Sequence, residues 1–203
     1  MKGNIITKIA KSPKYKNYVE IYINDKLFAT VHIDSVVEHN LYKGKTLRSI
    51  ELENVKSNAI DPRIYERVKR WLSLRPRSIQ EFLQYAQYKL QLRQNQIEEI
   101  LNTLKSKNLL NDDNFADWYV KNRVEHKLIG RRKIMFELKN KGVSNQIINK
   151  ALNKNYQTEK EIEKIMTYLQ KNKHSNNETL KMKLINLGFD YKNIRDALKI
   201  SKN

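Results

Sequence analysis

The sequence predicts a mainly α fold: tandem three-helix repeats forming an elongated, curved array, preceded by a small β-rich segment. Three observations carry this. From Phe115 to Leu152, apolar residues recur at helical spacing in three segments: Phe115, Tyr119 and Val120; Ile134 and Leu138; Ile147, Ile148, Ala151 and Leu152. Breaks fall at Ile129-Gly130 and Lys141-Gly142, and helices this short bury their stripes only by folding on one another. Leu138, Gly142, Val143, Ile148, Ala151 and Leu152 then recur 46 residues later as Leu184, Gly188, Phe189, Ile194, Ala197 and Leu198, the signature of a stacked helical array. Finally, Tyr18 to Ile23 alternates polar and apolar residues as a half-buried strand does.

In chain order, Ile5–Ala10 is expected as one strand and Tyr18–Ile23 as the next, with Val19, Ile21 and Ile23 on the dry face. Asn24-Asp25-Lys26 reads as a tight hairpin turn, after which Leu27, Ala29, Val31 and Ile33 continue that face. Asp34 is expected to cap a helix over Ser35–Asn40, and Ser49–Ala59 reads as a linker. Asp61-Pro62 places a capping acceptor before a first-turn proline, so a helix should run from about Arg63 to Leu74. Pro76 stops it, and Ser78 to Glu81 has the spacing of a capping box. Thr158 to Glu161 repeats that spacing and is read as the same kind of punctuation. A first repeat, with Ile97, Ile100 and Leu101 as its apolar positions, lacks the glycine that the others carry at Gly142 and Gly188. The expected division is 1–60 for the β-rich segment and linker, then repeats at 61–111, 112–154 and 155–203.

Charge sets the class of partner. The chain carries 40 Lys and Arg against 22 Asp and Glu, a net charge of +18. Residues 61–203 hold 30 of the basic and 16 of the acidic groups, so the excess belongs chiefly to the helical part. Such a balance favours polyanions: DNA, RNA or an acidic protein surface. Cysteine is absent, which removes disulfides and thiol chemistry and suits a cytoplasmic protein. No apolar run approaches membrane-spanning length.

No constellation for catalysis is visible, and no cofactor is expected. His32, His39, His126 and His174 are far apart, with no metal-ligand pair at helical spacing. Glu159, Glu161 and Glu163 alternate among lysines as a solvated helix face would. Trp71, Trp118 and Tyr119 are assigned to packing. Three basic clusters instead fall at equivalent places before the second helix of each repeat: Arg75 and Arg77; Arg131, Arg132 and Lys133; Lys171 and Lys173. Helix N-termini add exposed amides and a positive dipole end, so these are expected anion sites. Any one cluster is equally what a lysine-rich loop shows; three in register favour function. As loop charges they should contribute little to stability, so charge reversal at Arg131, Arg132 and Lys133 is expected to leave the fold intact.

The skeleton Phe115-Ala116, Tyr119-Val120, Arg123, Gly130, Ile134, Glu137-Leu138, Lys141-Gly142-Val143, Ile148 and Ala151-Leu152 resembles the RecX family of bacterial regulators of the recombinase RecA. Arg75-Pro76-Arg77-Ser78 and the Asn108–Phe115 junction fit the family's first repeat. The likeness runs from about Ile64 to the C-terminus, and Ile6 to Ile9 with Lys43-Gly44 is similar to an N-terminal extension in some members. The resemblance implies a non-enzymatic monomer that lodges along the RecA–DNA filament and modulates, chiefly by inhibition, its ATPase, strand-exchange and co-protease activities. Single- or double-stranded DNA would be met through the filament. The residues expected to contact RecA or DNA are the three basic clusters, with Arg123 and Lys127 on the helix leading to Gly130. Arg123 is equally suited to a structural ion pair. A general nucleic-acid binder acting without RecA, and an adaptor for another acidic protein, are the alternatives.

Overall fold

The computed structural model describes residues 3–59, 61–172 and 176–200. In chain order they form β1 (Asn4–Lys11), β2 (Tyr18–Ile23), β3 (Lys26–His32), α1 (Ile33–Glu38), β4 (Thr46–Leu47), α2 (Ser49–Asn58), α3 (Pro62–Ser73), α4 (Ile79–Gln84), a π-helical turn (Tyr85–Lys89), α5 (Gln94–Ser106), α6 (Asp112–His126), α7 (Arg131–Asn140), α8 (Asn145–Asn155), α9 (Thr158–Lys171), α10 (Asn177–Asn186) and α11 (Tyr191–Ile200). The fold is therefore mainly helical behind a small antiparallel sheet. It divides into two compact units, Met1–Arg75 with Tyr85–Ser106, and Pro76–Gln84 with Lys107–Asn203. No helix among the described residues is long and apolar enough to cross a membrane.

In the first unit the strand order is β3-β2-β1-β4. Asn24 and Asp25 both take positive φ (49° and 64°), the backbone of a two-residue hairpin turn whose twist matches its strands. Ile6, Val19, Ile21, Ile23 and Val31 form the dry face with Leu41, Leu47 and Val55. The apolar face expected to run from Leu27 to Ile33 holds only at Ala29 and Val31. Ile21 pairs with Ala29 but Tyr22 pairs with Leu27, so Phe28 is an extra residue in the ladder. One extra residue flips the side chains beyond it, and Leu27 is 56% exposed.

Two further expectations for this unit are corrected. Helix α1 spans Ile33–Glu38 and is capped by His32, whose Nδ1 accepts from the Asp34 N–H, rather than by Asp34. The stretch read as a linker is helix α2; Glu51 accepts the Arg48 N–H at 2.9 Å, and Leu52 and Val55 pack against the sheet's core. Helix α3 starts as expected, with the Asp61 carboxylate accepting the Arg63 N–H at 2.9 Å and Pro62 in its first turn. Trp71 stacks on Tyr85 with centroids 4.4 Å apart.

The second unit holds two three-helix cores. Helices α6, α7 and α8 bury Phe115, Val120, Ile134, Leu138, Ile148, Ala151 and Leu152. Helices α9, α10 and α11 bury Ile165, Leu169, Leu180, Leu184, Phe189, Ile194 and Ala197. On and between the second and third helices the buried positions Leu138, Ile148, Ala151 and Leu152, and Leu184, Phe189, Ile194 and Ala197, are among those the 46-residue period marks, whereas Ile165 and Leu169 of α9 are not.

Gly142 and Gly188 end α7 and α10 with φ of 76° and 82°, and the next residue's N–H returns to Leu138 O and Leu184 O respectively, the helix-terminating turn that glycine favours. Each glycine also stands at a joint. A Cβ on Gly188 would lie 2.4 Å from Lys133 Cβ, and one on Gly142 would lie 2.7 Å from Gln80 Cβ. The turn closing the second helix of one repeat thus rests on the first turn of the second helix of the repeat before it. The first repeat has no such neighbour ahead of it, and its corresponding turn uses Gln91 at φ 53°. The missing glycine has a physical reason.

Gly188→Ala should destabilise the chain by about 2 kcal/mol or more, because left-handed backbone costs an L-residue roughly 1–2 kcal/mol before the overlap with Lys133 is counted. Urea denaturation measures it; a loss below about 0.5 kcal/mol, the scale of a neutral surface change, would show that the joint is not tightly packed.

Candidate partner interface

The basic cluster at Arg131 to Lys133 forms the first turn of α7 itself. A helix begins with amides that have no acceptor within the helix, and here three of them are already taken. The Gly130 N–H donates to Leu187 O at 2.9 Å and the Arg132 N–H to Gly188 O at 3.0 Å. The Arg131 N–H donates to Glu161 Oε1 at 2.8 Å, and Glu161 Oε2 accepts from Asn193 Nδ2 at 2.7 Å. The anion at this positive helix end is therefore the protein's own Glu161, which is fully buried. This corrects two expectations: Glu161 is neither capping punctuation nor part of a solvated face, and α7 offers no open N-terminal anion site. Burial holds the Glu161 carboxyl above the usual carboxylate range, against the pull of the Arg131 N–H and the Asn193 amide.

Arg131 is spent in the same joint. Its guanidinium donates to the carbonyls of Leu152 and Tyr156 and to Asn153 Oδ1, closing the C-terminal end of α8. Tyr156 is buried and donates its hydroxyl to Ile129 O at 2.8 Å. Arg131 is thus a clamp, and the expectation that its reversal leaves the fold intact is corrected. A second joint repeats the logic: the Ile79 N–H at the start of α4 donates to Asp112 Oδ1 at 2.9 Å, and Lys141 Nζ meets Glu81 Oε1 at 2.7 Å. Ser78 and Glu81 cap each other as the sequence predicts.

Arg123 binds Glu137 through two parallel hydrogen bonds, Nε to Oε2 at 2.9 Å and Nη2 to Oε1 at 3.0 Å. Tyr119 joins them by donating to Glu137 Oε2 at 3.0 Å. The bidentate pair ties α6 to α7, which leaves Arg123 little to offer a partner.

The remaining cations differ in exposure. Arg132 and Lys133 are exposed on α7. Lys127 and Lys171, 44 residues apart, line one groove with Lys160, Lys164, Thr167, Tyr168, His126 and Leu128, beside Glu125 and Glu163. Lys160, Lys164, Thr167 and Lys171 follow helical spacing along one side of α9. Lys164 Nζ donates to the Val124 and Lys127 carbonyls at the end of α6, and burial with neighbouring Lys160 holds its pKa below the ordinary lysine value. Arg75 and Arg77 are half-buried and belong to different units. Lys173 and His174 lie outside the described residues. Among the described residues no cluster of three or more acidic or histidine side chains could hold a metal ion.

Sequence reasoning missed Lys160, Lys164 and Phe136. Phe136 is 64% exposed. Its position, two residues from both Ile134 and Leu138, places it opposite the buried stripe, and a helical projection would have shown it.

Residues 111–152 match the family model described as RecX, second three-helix domain. The chain is 29% identical over 183 residues to the regulatory protein RecX of Listeria innocua, covering 89% of this chain and 68% of that one. It is 32% identical over 148 residues to that of Lactobacillus gasseri, covering 73% and 54%. Against that of Bacillus pumilus it is 28% identical over 200 residues, covering 95% and 76%. The matches thus span about half to three quarters of these relatives' lengths. A crystal structure of a regulatory protein RecX shares the fold at TM-score 0.78 and 21% identity, covering 95% of this chain and 99% of that one. That of RecX from Lactobacillus salivarius gives 0.60 at 26% identity, covering 66% and 92%.

The raised pKa of Glu161 makes stability depend on pH with a defined sign. The native state binds this proton more tightly than the unfolded chain, so the contribution is whole below the unfolded value of about 4.5 and is lost as pH rises through the folded pKa. Glu161→Gln keeps an acceptor for the Arg131 N–H without the charge. It should flatten that decline, as urea midpoints between about pH 4 and 8 will show; equal slopes in both proteins would contradict it. Glu161→Ala strands two donors and should cost about 2–4 kcal/mol at any pH.

Proposed function

This chain belongs to the RecX family of regulatory proteins, and from that premise we propose that it binds the RecA–DNA filament and inhibits RecA's ATPase, strand-exchange and co-protease activities in DNA repair. It acts in the cytoplasm as a monomer without catalysis, and its repeats correspond to 61–111, 112–154 and 155–203. The observation that supports the reading is the separation of its charges. Arg123 and Arg131 are consumed inside the helical body, while Arg132, Lys133, Lys127 and Lys171 stand exposed on it. A modular body with a cationic surface can span successive filament subunits, meeting acidic protein surface and DNA phosphate alike. Arg75, Arg77 and Lys173 complete the proposed contact set, and Arg123 acts by holding α6 to α7.

A net charge of +18 also favours a second reading, a nucleic-acid binder that needs no RecA. Titrating the protein into single-stranded-DNA-dependent ATP hydrolysis by RecA, at fixed physiological salt, separates the two. Inhibition far below one molecule per RecA is expected; inhibition only at amounts that coat the DNA would favour the second reading. Reversing Arg132 and Lys133 to Glu, with Arg131 left in place, should raise the concentration for half-inhibition about tenfold or more while leaving the urea midpoint nearly unchanged, since exposed charges contribute little to stability. Unchanged inhibition would remove these two residues from the contact.

A further inference from the structure

Helix α7 has an outer face that neither the core nor the joints use. Ile134 and Leu138 are fully buried, whereas Phe136 between them is 64% exposed. Its neighbours on the helix surface, at i−4, i−3 and i+3, are Arg132, Lys133 and Lys139. All three are exposed, and none is paired with a carboxylate among the described residues. The helix's one carboxylate, Glu137, is held by Arg123. A planar aromatic ring set among cations, with no free acid beside it, is the arrangement that takes a nucleobase on the ring and phosphates on the flanking charges.

We propose that the outer face of α7 binds single-stranded nucleic acid, one base stacking on Phe136 while Arg132, Lys133 and Lys139 hold the adjoining phosphates. The site rests on the nucleic-acid side of the filament reading and gives it a location. Single strands fit because a duplex keeps its base faces stacked on each other, out of reach of one ring on a helix. The equivalent place in the next repeat sharpens the assignment. Met182, 46 residues on, is also exposed at 56%, yet at the matching offsets α10 has Glu178, Thr179 and Ile185. Both second helices leave a large apolar side chain outside their cores, and α7 alone of the two surrounds it with positive charge. Of these two second helices, the base-binding role is therefore assigned to α7.

The test is binding of the full chain to a fluorescently labelled oligothymidylate of about 20 nucleotides, long enough to cover a site of the usual size, at several salt concentrations. Phe136→Ala should weaken binding roughly tenfold and leave the salt slope unchanged, because it removes stacking and no charge. Arg132→Ala or Lys139→Ala should lower the slope by about one each. Phe136→Trp should keep affinity and show quenched tryptophan emission on addition of the oligonucleotide. Phe136→Leu should bind as weakly as the alanine variant, since it keeps apolar bulk without a planar face. Wild-type affinity in both Phe136→Ala and Phe136→Leu would overturn the inference. If those variants bind DNA normally but no longer inhibit RecA, the face is a protein contact, and the filament reading survives without the stacking site. If they bind DNA normally and inhibit normally, the stacking site falls and the filament reading again stands. Failure of the wild type itself to inhibit RecA would sink that reading without touching the oligonucleotide result. Because Phe136 is exposed, unchanged urea midpoints are expected throughout and verify that the variants fold.

Discussion

The first turn of any helix presents amide groups that the helix cannot satisfy, and the second unit of this protein is assembled by answering that demand at α7. Three successive donors, Gly130, Arg131 and Arg132, are met by Leu187 O, Glu161 Oε1 and Gly188 O. Every acceptor comes from the following repeat. The arrangement requires a residue without a side chain at 130, where a Cβ would stand 2.1 Å from Phe189 N, and another at 188, against Lys133. It also requires a buried carboxylate facing the helix's positive end. Joint chemistry, and not only apolar stacking, therefore holds the repeats together.

That constraint sorts the charged residues into two populations. Arg131, Glu161, Arg123, Glu137, Lys141 and Glu81 work inside the helical body, in pairs or in capping hydrogen bonds. Removing one member strands its partner, so these positions govern stability. Arg132, Lys133, Lys139, Lys127 and Lys171 are left on the surface, where they add little to folding and are available for steering and contact. Exposed cationic side chains carried on fixed helices form a defined charged surface.

Much of this was legible before the structure. The helical stripes were, because a period of 3.6 residues reports burial directly, and so was the 46-residue repeat. The hairpin turn at Asn24-Asp25 was legible because that dipeptide tolerates positive φ. What escaped was tertiary. Gly142 and Gly188 announce turns, but the close approach of Gln80 and Lys133 depends on residues more than 50 positions away. Glu161 sits in a lysine-rich run indistinguishable from a solvated face, and only the distant Arg131 and Asn193 give it meaning. Helix α2 reads as a linker in sequence because, among its described side chains, Leu52 and Val55 are the ones that pack against the core, too few to make a stripe. The exposure of Leu27 is not legible in sequence, because an extra residue in a ladder leaves no mark on alternation. For the interface, cationic clusters were visible, but which cations are committed to joints was not.

Amide hydrogen exchange tests the central claim most directly. First-turn amides ordinarily exchange quickly, having no intrahelical acceptor. If the joint exists, the Arg131 and Arg132 amides will be protected to nearly the same degree as the buried mid-helix amides of Ile134 and Leu138, and Glu161→Ala will release Arg131 selectively. Rapid exchange at Arg131 and Arg132 in the unaltered protein, alongside slow exchange in the middle of α7, would contradict the account.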